Sequence, residues 1–146
     1  MPNLIGAWAL VSSVNYRNDV PTPTFGNPPR GQLQYTPDGR MGAFLMDPAW
    51  AAKGESAAHG LTDFFAYAGT WRLDGKDGEG RDKVRHVIEF ASIPARVGTQ
   101  FVRTIVPHDE NRIELVTDPE ISKSGAVYVT RLVWRRHTPA AGANQA

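Results

Sequence analysis

The stretch KVRHVIEF (83–90) contains the residue with the most informative chemistry, His86. On a strand, Val84, His86, Ile88 and Phe90 would point to one face and the charged residues to the other. A histidine on an apolar face has three interpretations: a core residue with satisfied hydrogen bonds, a ligand contact, or an acid–base catalyst that titrates near neutral pH.

Three further polar side chains belong to strand-like segments rich in apolar residues: Tyr35, Tyr128 and Arg103. Tyr35 and Tyr128 are either core residues with bonded hydroxyls or groups that orient a ligand. Arg103 faces the interior if Phe101 and Ile105 do, and it faces solvent in the other register of its strand. A buried Arg103 without a carboxylate would favour an anionic or carbonyl-bearing ligand.

A catalytic hypothesis follows from these residue types. His86 would act as general acid or base, while Tyr35 or Arg103 stabilises charge that develops on a carbonyl oxygen. This arrangement suits cofactor-free proton transfer, such as isomerisation, dehydration or ring closure of a polyketide- or terpenoid-like intermediate.

The composition excludes several other classes of function. The chain has 146 residues, no cysteine and a formal net charge of +1, so we expect no disulfide, nucleic-acid partner or membrane-surface partner. The four histidines are scattered over different elements, and no nucleotide-binding motif is present, so we expect neither metal nor cofactor. Without a signal-peptide pattern or a run of ~20 apolar residues, we expect a cytoplasmic protein.

The elements that must position these side chains are predicted to be strands. About eight alternating segments with regular turn signals indicate an antiparallel barrel or sandwich. The Pro- and Gly-rich segment 18–31 predicts a long loop, and segment 48–67 predicts a short helix capped by Thr62 or Asp63. The expected strands cover residues 4–16, 32–36, 40–47, 69–75, 83–92, 99–107, 112–118 and 126–136.

The parity of these strands predicts one inner face. An eight-stranded barrel can hold one small ligand among such side chains. The expected ligand contacts are Leu33, Met41, Leu45, Tyr67, Trp71, Ile88, Phe101, Tyr128 and Trp134. In the first strand we place Trp8, Leu10 and Val14 on one face.

A set of short motifs extends in order over nearly the whole chain. LIGAWALVS (4–12) contains Gly6-x-Trp8, the start motif of lipocalins and related calycin barrels. The motifs that follow are RGQLQYTPDGRMGAFLM (30–46), FFAYAGTWRL (64–73), VRHVIEFASIPARVGTQFVR (84–103) and RLVWRR (131–136). From about residue 4 to 136 the chain resembles the lipocalin-like domain family of bacteria and fungi.

The resemblance implies an all-β fold: one eight-stranded antiparallel calycin barrel with a short helix, over residues 1–137. It also implies that an arginine of the last strand, Arg135 or Arg131, covers the Trp8 indole. The small, polar tail 138–146 is expected to be disordered.

For function, we expect the barrel to bind a small hydrophobic or aromatic molecule that carries a carbonyl or hydroxyl group. The alternative is a cofactor-free cyclase, isomerase or dehydratase, and a third class is a purely structural or partner-binding barrel. Segment 48–67, with Trp50, Phe64 and Phe65, is either a lid or an external helix. We expect a monomer or homodimer.

Overall fold

The computed structural model describes residues 3–54 and 60–138. Most of these residues form strands, as their alternating apolar pattern predicts. The strands are β1 (Gly6–Arg17), β2 (Val20–Pro23), β3 (Arg30–Tyr35), β4 (Arg40–Met46), β5 (Phe64–Lys76), β6 (Asp82–Ala91), β7 (Gln100–Asp109), β8 (Arg112–Thr117), β9 (Glu120–Ile121) and β10 (Val127–Arg136). The described helices are α1 (Pro48–Ala51) and a 3₁₀ turn, Pro94–Arg96.

Eight of these strands close into one antiparallel barrel. Its neighbours follow the order β1-β3-β4-β5-β6-β7-β8-β10, and pairing of β10 with β1 completes the ring. Outside the ring, β2 pairs with the last part of β1 and β9 pairs with the first part of β10. Both extra strands lie at the same end, because Arg17 near β2 pairs with Tyr128 near β9. The predicted eight-stranded antiparallel barrel is confirmed.

The opposite end of the barrel is filled by its own side chains around Trp8, which is fully buried. The Trp8 indole Nε1 donates a hydrogen bond to the Leu4 carbonyl oxygen at 2.9 Å. The Arg136 guanidinium lies 4.2 Å from the centre of the Trp8 ring, which gives a cation–π contact. We call this the closed end.

The arginine that covers Trp8 is therefore neither Arg135 nor Arg131, as the resemblance implied. Trp8 and Arg136 are direct partners across the β1–β10 ladder, so their side chains share a face. Arg135, one residue away, is exposed on the other face, and Arg131 lies over the Tyr16 ring.

The inner faces of β3 and β4 follow the predicted parity. A turn at Pro37–Asp38–Gly39 joins the two strands, with Gly39 at a φ of 88°. The side chains buried on this hairpin are Leu33, Tyr35, Met41, Ala43 and Leu45.

A β-bulge in β1 changes which residues of that strand face inward. The register against β10 shifts between Leu10 and Ser12, so the face that holds Leu10 continues with Ser13. Ser13 is accordingly buried, at 2% exposure. The prediction that Val14 shares a face with Trp8 and Leu10 is wrong for this reason.

A second bulge, in β6, places Phe90 outside the barrel. Ala68 pairs with Phe90 but the next residue, Gly69, pairs with Ile88, so Glu89 is the extra residue. Phe90 is 62% exposed, against the prediction that it faces inward with His86. At Gly69 the two backbones approach so closely that a Cβ would collide with the Val87 carbonyl oxygen.

Two connecting segments also differ from prediction. The expected loop 18–31 contains β2, which follows a tight turn at Asn18 and Asp19, both with positive φ. The helix in segment 48–67 is the single turn α1, whose cap is Asp47: its carboxylate accepts a hydrogen bond from the Ala49 N–H. Neither Thr62 nor Asp63 caps a helix.

The remaining predictions on segment 48–67 and on the tail are limited by what the structure describes. Residues 64–67, expected at the end of the helical segment, begin strand β5. Positions 55–59 and the predicted tail from 139 onward lie outside the described residues. Within the described ranges, no helix has the length and apolar character needed to cross a membrane.

Candidate functional site

A cavity of about 1090 Å³ occupies the half of the barrel opposite the closed end. Its wall includes Ser13, Asn15 and Arg17 of β1, which places the mouth at the end where β2 and β9 extend the sheet. Asp118, which follows β8, also lies on the wall, and so do residues around the 3₁₀ turn. The interior is therefore divided into a packed part and a hollow part.

Most of the residues proposed from the sequence lie on this wall. His86 and Arg103, two of the three proposed catalytic groups, both line the cavity. Six proposed ligand contacts do so as well: Leu33, Leu45, Tyr67, Phe101, Tyr128 and Trp134. Their binding role is a proposal that the geometry permits.

Four proposed site residues are not on the wall: Tyr35, Met41, Trp71 and Ile88. They face inward but are packed in the hydrophobic core, which includes the contact between Tyr35 and Trp71 at 4.8 Å between ring centres. The Trp71 indole also donates a hydrogen bond to the Thr36 carbonyl oxygen at 3.0 Å. Strand parity gives the face of a side chain but not its height in the barrel.

His86 sits at the boundary between the two halves, between two tyrosine hydroxyls. Tyr35 Oη lies 2.7 Å from His86 Nε2, and Tyr67 Oη lies 2.9 Å from His86 Nδ1. His86 is 1% exposed. Both of its ring nitrogens therefore have a hydrogen-bond partner within the protein and not in solvent. The outer contact, Tyr67, comes from β5 and lines the cavity; the inner one, Tyr35, comes from β3 and does not.

Electrostatics keep this triad neutral. Burial, assisted by the positive charge of Arg103, lowers the pKa of His86 to about 3. Burial raises the pKa of Tyr67 to about 12 and raises the pKa of Tyr35 well above its ordinary value. At neutral pH the triad therefore consists of one neutral imidazole and two neutral phenols.

Arg103 supplies a positive charge on the inner wall, which Arg17 and Arg96 also line. Phe101, Arg103 and Ile105 share the inward register of β7, since their ladder partners include the buried Val84, His86 and Leu115. The guanidinium lies 4.5 Å from the centre of the Phe101 ring and donates a hydrogen bond to the Val102 carbonyl oxygen at 3.2 Å. Burial lowers the pKa of Arg103.

The sequence did not point to a set of small polar residues on the wall. Ser13, Asn15, Thr24 and Thr117 all line the cavity. The Ser13 and Thr24 hydroxyls are 2.7 Å apart. Ser13 and Asn15 face inward only because of the bulge in β1, for which the sequence gives no signal.

Segment 48–67 contributes to the mouth through part of its length. Leu61, Thr62 and Phe65 line the cavity, whereas Trp50 and Phe64 stack on each other at 5.6 Å and are not on the wall. The loop before β3 contributes Phe25. These segments flank the opening, and a lid motion of segment 48–67 stays a prediction.

The described residues offer no cluster of three or more His, Asp or Glu side chains that could hold a metal ion. One of the four histidines, His59, lies outside the described ranges. The wall also lacks a glycine-rich phosphate-binding turn.

Comparison with known proteins gives a family and no named function. The model of the lipocalin-like domain matches residues 5–137. No curated protein matches the chain. Among solved structures, a redesigned beta barrel is 10% identical over 92% of each chain, with a TM-score of 0.43. Because the family match covers nearly the whole sequence, this chain belongs to the lipocalin-like domain family.

Proposed function

We propose that this barrel binds a small hydrophobic or aromatic molecule that carries a carbonyl or hydroxyl group. The observation that carries the proposal is the cavity, whose volume of about 1090 Å³ is at the upper end of small-molecule pockets. Its wall combines apolar side chains such as Leu33 and Leu45 with many polar ones, among them Tyr67 and Arg103 near His86. A barrel with a purely structural role would have no need to leave this space open.

The wall suggests how such a ligand would lie. Leu33, Leu45 and Leu132 offer apolar surface for the body of the molecule. Tyr67 and Arg103, deep in the cavity, offer hydrogen bonds to a ligand oxygen. Tyr128, nearer the mouth, accepts a hydrogen bond from Arg17 Nε at 3.0 Å and can still donate its hydroxyl hydrogen to a ligand oxygen.

A cavity-filling substitution tests this proposal. Ala43 is buried and lines the cavity, so Ala43→Phe would place a ring in the space that a ligand needs. Ala68→Phe is the matched control, because Ala68 lies on the outer face of β5, beside exposed Phe90. Binding of an uncharged apolar dye such as Nile red would be followed by fluorescence, with native mass spectrometry to detect a co-purified molecule.

We expect Ala43→Phe to weaken dye binding by about tenfold or more, and Ala68→Phe to leave it unchanged. Equal binding by the two variants would mean that the dye binds elsewhere, and it would contradict the proposed site. Circular dichroism of both variants checks that the barrel is intact.

The second candidate is a cofactor-free isomerase, cyclase or dehydratase with His86 as general acid or base. The chain of hydrogen bonds Tyr35–His86–Tyr67 favours it, because such a chain can pass a proton to a ligand oxygen. The lowered pKa of His86 opposes it, since an imidazole with a pKa of about 3 is a weak base.

Deuterium exchange discriminates the two candidates. A bound carbonyl compound that is incubated with the protein in D₂O would gain deuterium beside the carbonyl if the protein moves protons, and would return unchanged if it only binds. His86→Gln controls for exchange that does not need the imidazole.

We further propose, from the near-neutral charge, that the partner is a small molecule and neither nucleic acid nor a membrane, and that the protein is cytoplasmic. A monomer or homodimer is proposed as its state in solution, which size-exclusion chromatography with light scattering would measure.

A further inference from the structure

We propose that the ligand is an oxygen anion, such as a carboxylate, and that it binds head-first with its charged oxygens between the Arg103 guanidinium and the Tyr67 hydroxyl. This inference rests on the proposed binding function and adds the charge and orientation of the ligand. It is carried by two unmet requirements of the wall: one cation without a counter-charge and one hydroxyl hydrogen without an acceptor.

The first requirement is the charge of Arg103. Across residues 3–54 and 60–138, the protein gives this guanidinium one backbone carbonyl oxygen and the face of Phe101, and no carboxylate within ion-pair distance. Asp118 and Glu120 affect it only at longer range, from the chain between β8 and β10 near the mouth. A sheltered cation without a partner is unfavourable, and an anion beside it removes that penalty.

The second requirement comes from the hydrogen atoms of the triad. A neutral imidazole has one N–H and one lone pair, so one tyrosine must donate to His86 and the other must accept from it. Tyr35 is fully buried, and His86 Nε2 is its hydrogen-bond partner among the described residues. Tyr35 therefore donates to Nε2, because its hydroxyl hydrogen would otherwise be buried without an acceptor.

The tautomer of His86 then determines what Tyr67 offers to the cavity. With Nε2 accepting, the proton resides on Nδ1, and Nδ1–H donates to Tyr67 Oη at 2.9 Å. The hydroxyl hydrogen of Tyr67 has no acceptor among the described contacts, and Tyr67 lines the cavity. The triad thus presents a hydrogen-bond donor to the ligand and no acceptor.

Both groups contact the same ring, Phe101. Tyr67 meets the Phe101 ring edge-on, with 5.2 Å between centres, and Arg103 lies over the same ring. The positive charge of Arg103 also acts on the Tyr67 hydroxyl, as its effect on the pKa of Tyr67 shows. A cation and a hydroxyl donor that share one neighbour form a receptor for an anionic oxygen, with the apolar remainder directed to the mouth.

A matched pair of probes tests the charge of the ligand directly. The probes are undecanoic acid with a terminal dansyl group and its methyl ester, titrated at neutral pH by fluorescence. We expect the acid to bind at least about tenfold more tightly than the ester. Equal affinities overturn the inference and leave the proposed function in place, whereas no binding of either probe contradicts the proposed function itself.

Two substitutions assign the preference to its source. Arg103→Met should abolish the preference for the acid while it retains binding of the ester, and Tyr67→Phe should reduce the acid's advantage several-fold. Arg72→Met, on an exposed arginine of β5 with a 63% exposed side chain, removes the same charge outside the cavity and should keep the wild-type ratio. If Arg103→Met does not bind the ester, Arg103→Lys replaces it, because a retained cation should preserve part of the preference. An acid-to-ester ratio that stays at the wild-type value in Arg103→Met overturns the inference.

Discussion

Acidification to about pH 4.5 should destabilise the protein through His86. In the folded state His86 stays neutral, because burial and Arg103 lower its pKa to about 3, while in the unfolded chain it titrates near 6.5. Between these two values the unfolded chain binds a proton that the folded protein does not bind. The free energy of unfolding therefore falls as the pH falls through this window, and the loss is complete below about pH 3.

The size of the effect follows from the two pKa values. Each pKa unit is worth about 1.4 kcal/mol, so lowering the pH from 7 to 4.5 should remove about 2.5 kcal/mol through His86 alone. The carboxylates affect the free energy of unfolding in a lower pH range than His86. Arg85 lowers the pKa of Asp74 and Arg40 lowers that of Glu89, so their stabilisation is lost only as the pH falls below the carboxylate values of about 4.

Urea unfolding at several pH values between about 7 and 4.5 measures how the free energy of unfolding changes with pH. Wild type should lose stability over this range, and His86→Gln, which cannot take up the proton, should lose about 2.5 kcal/mol less. His108→Gln, at an exposed histidine, controls for removal of any histidine. NMR of the ring nitrogens gives an independent reading: His86 should not titrate above pH 5 and should carry its proton on Nδ1. A His86 signal that titrates near pH 6.5, or equal slopes in wild type and His86→Gln, would refute the reasoning.

Three further substitutions test the fold around the site by urea unfolding. Gly69→Ala should cost about 3 kcal/mol, because a Cβ collides with the carbonyl oxygen of the bulged strand, while Gly78→Ala, with open space around it, should cost under about 1 kcal/mol. Arg136→Met should cost about 1–2 kcal/mol by removing the cation–π contact at the closed end, and the exposed Arg135→Met should be near neutral; equal effects would contradict the register of the last strand. Tyr35→Phe should cost about 1–3 kcal/mol, because it leaves a buried ring nitrogen without its hydrogen-bond partner; a neutral result would contradict the hydrogen bond between Tyr35 and His86.

Alternation predicted the barrel well wherever strands are regular. On β3 and β4 the period of two puts Leu33, Tyr35, Met41 and Leu45 inside, and all four are buried. The order of the strands in the barrel also follows largely from the sequence, because antiparallel strands joined by short turns are neighbours in the sheet. The pattern that predicts burial is local, which is why it is readable from the residues themselves.

The errors arose where a strand departs from regular pairing. One extra residue reverses the faces that follow it, and so Val14 and Phe90 were assigned to the wrong side. Pro21 and Pro23 predict a loop, but they lie in strand β2. This strand is at the edge of the sheet, where proline is tolerated because one side of the strand makes no ladder hydrogen bonds. A bulge and an edge are properties of the pairing, not of one segment.

The site was predictable as a set of inward residues but not as a shape. Parity brought His86 and Tyr67 to the inner face and left the register of Arg103 open, and it could not say that Tyr35 lies below the cavity and Tyr67 on its wall. That difference depends on how high each side chain sits, which the shear of the closed barrel sets.

The triad explains why the hollow and packed halves can adjoin. Polar groups at the boundary between the apolar core and the cavity face two different environments. A charged group there would be unfavourable, because one side of it would be buried among apolar side chains. Tyr35, His86 and Tyr67 avoid this cost because they are neutral and linked by hydrogen bonds that all run outward from the core. Tyr35 donates to His86, and His86 donates to Tyr67. Each buried atom is satisfied, and the one hydrogen left over emerges on the cavity side. The order of the three residues, and not only their identity, gives the floor of the cavity a donor that lies next to the charge of Arg103.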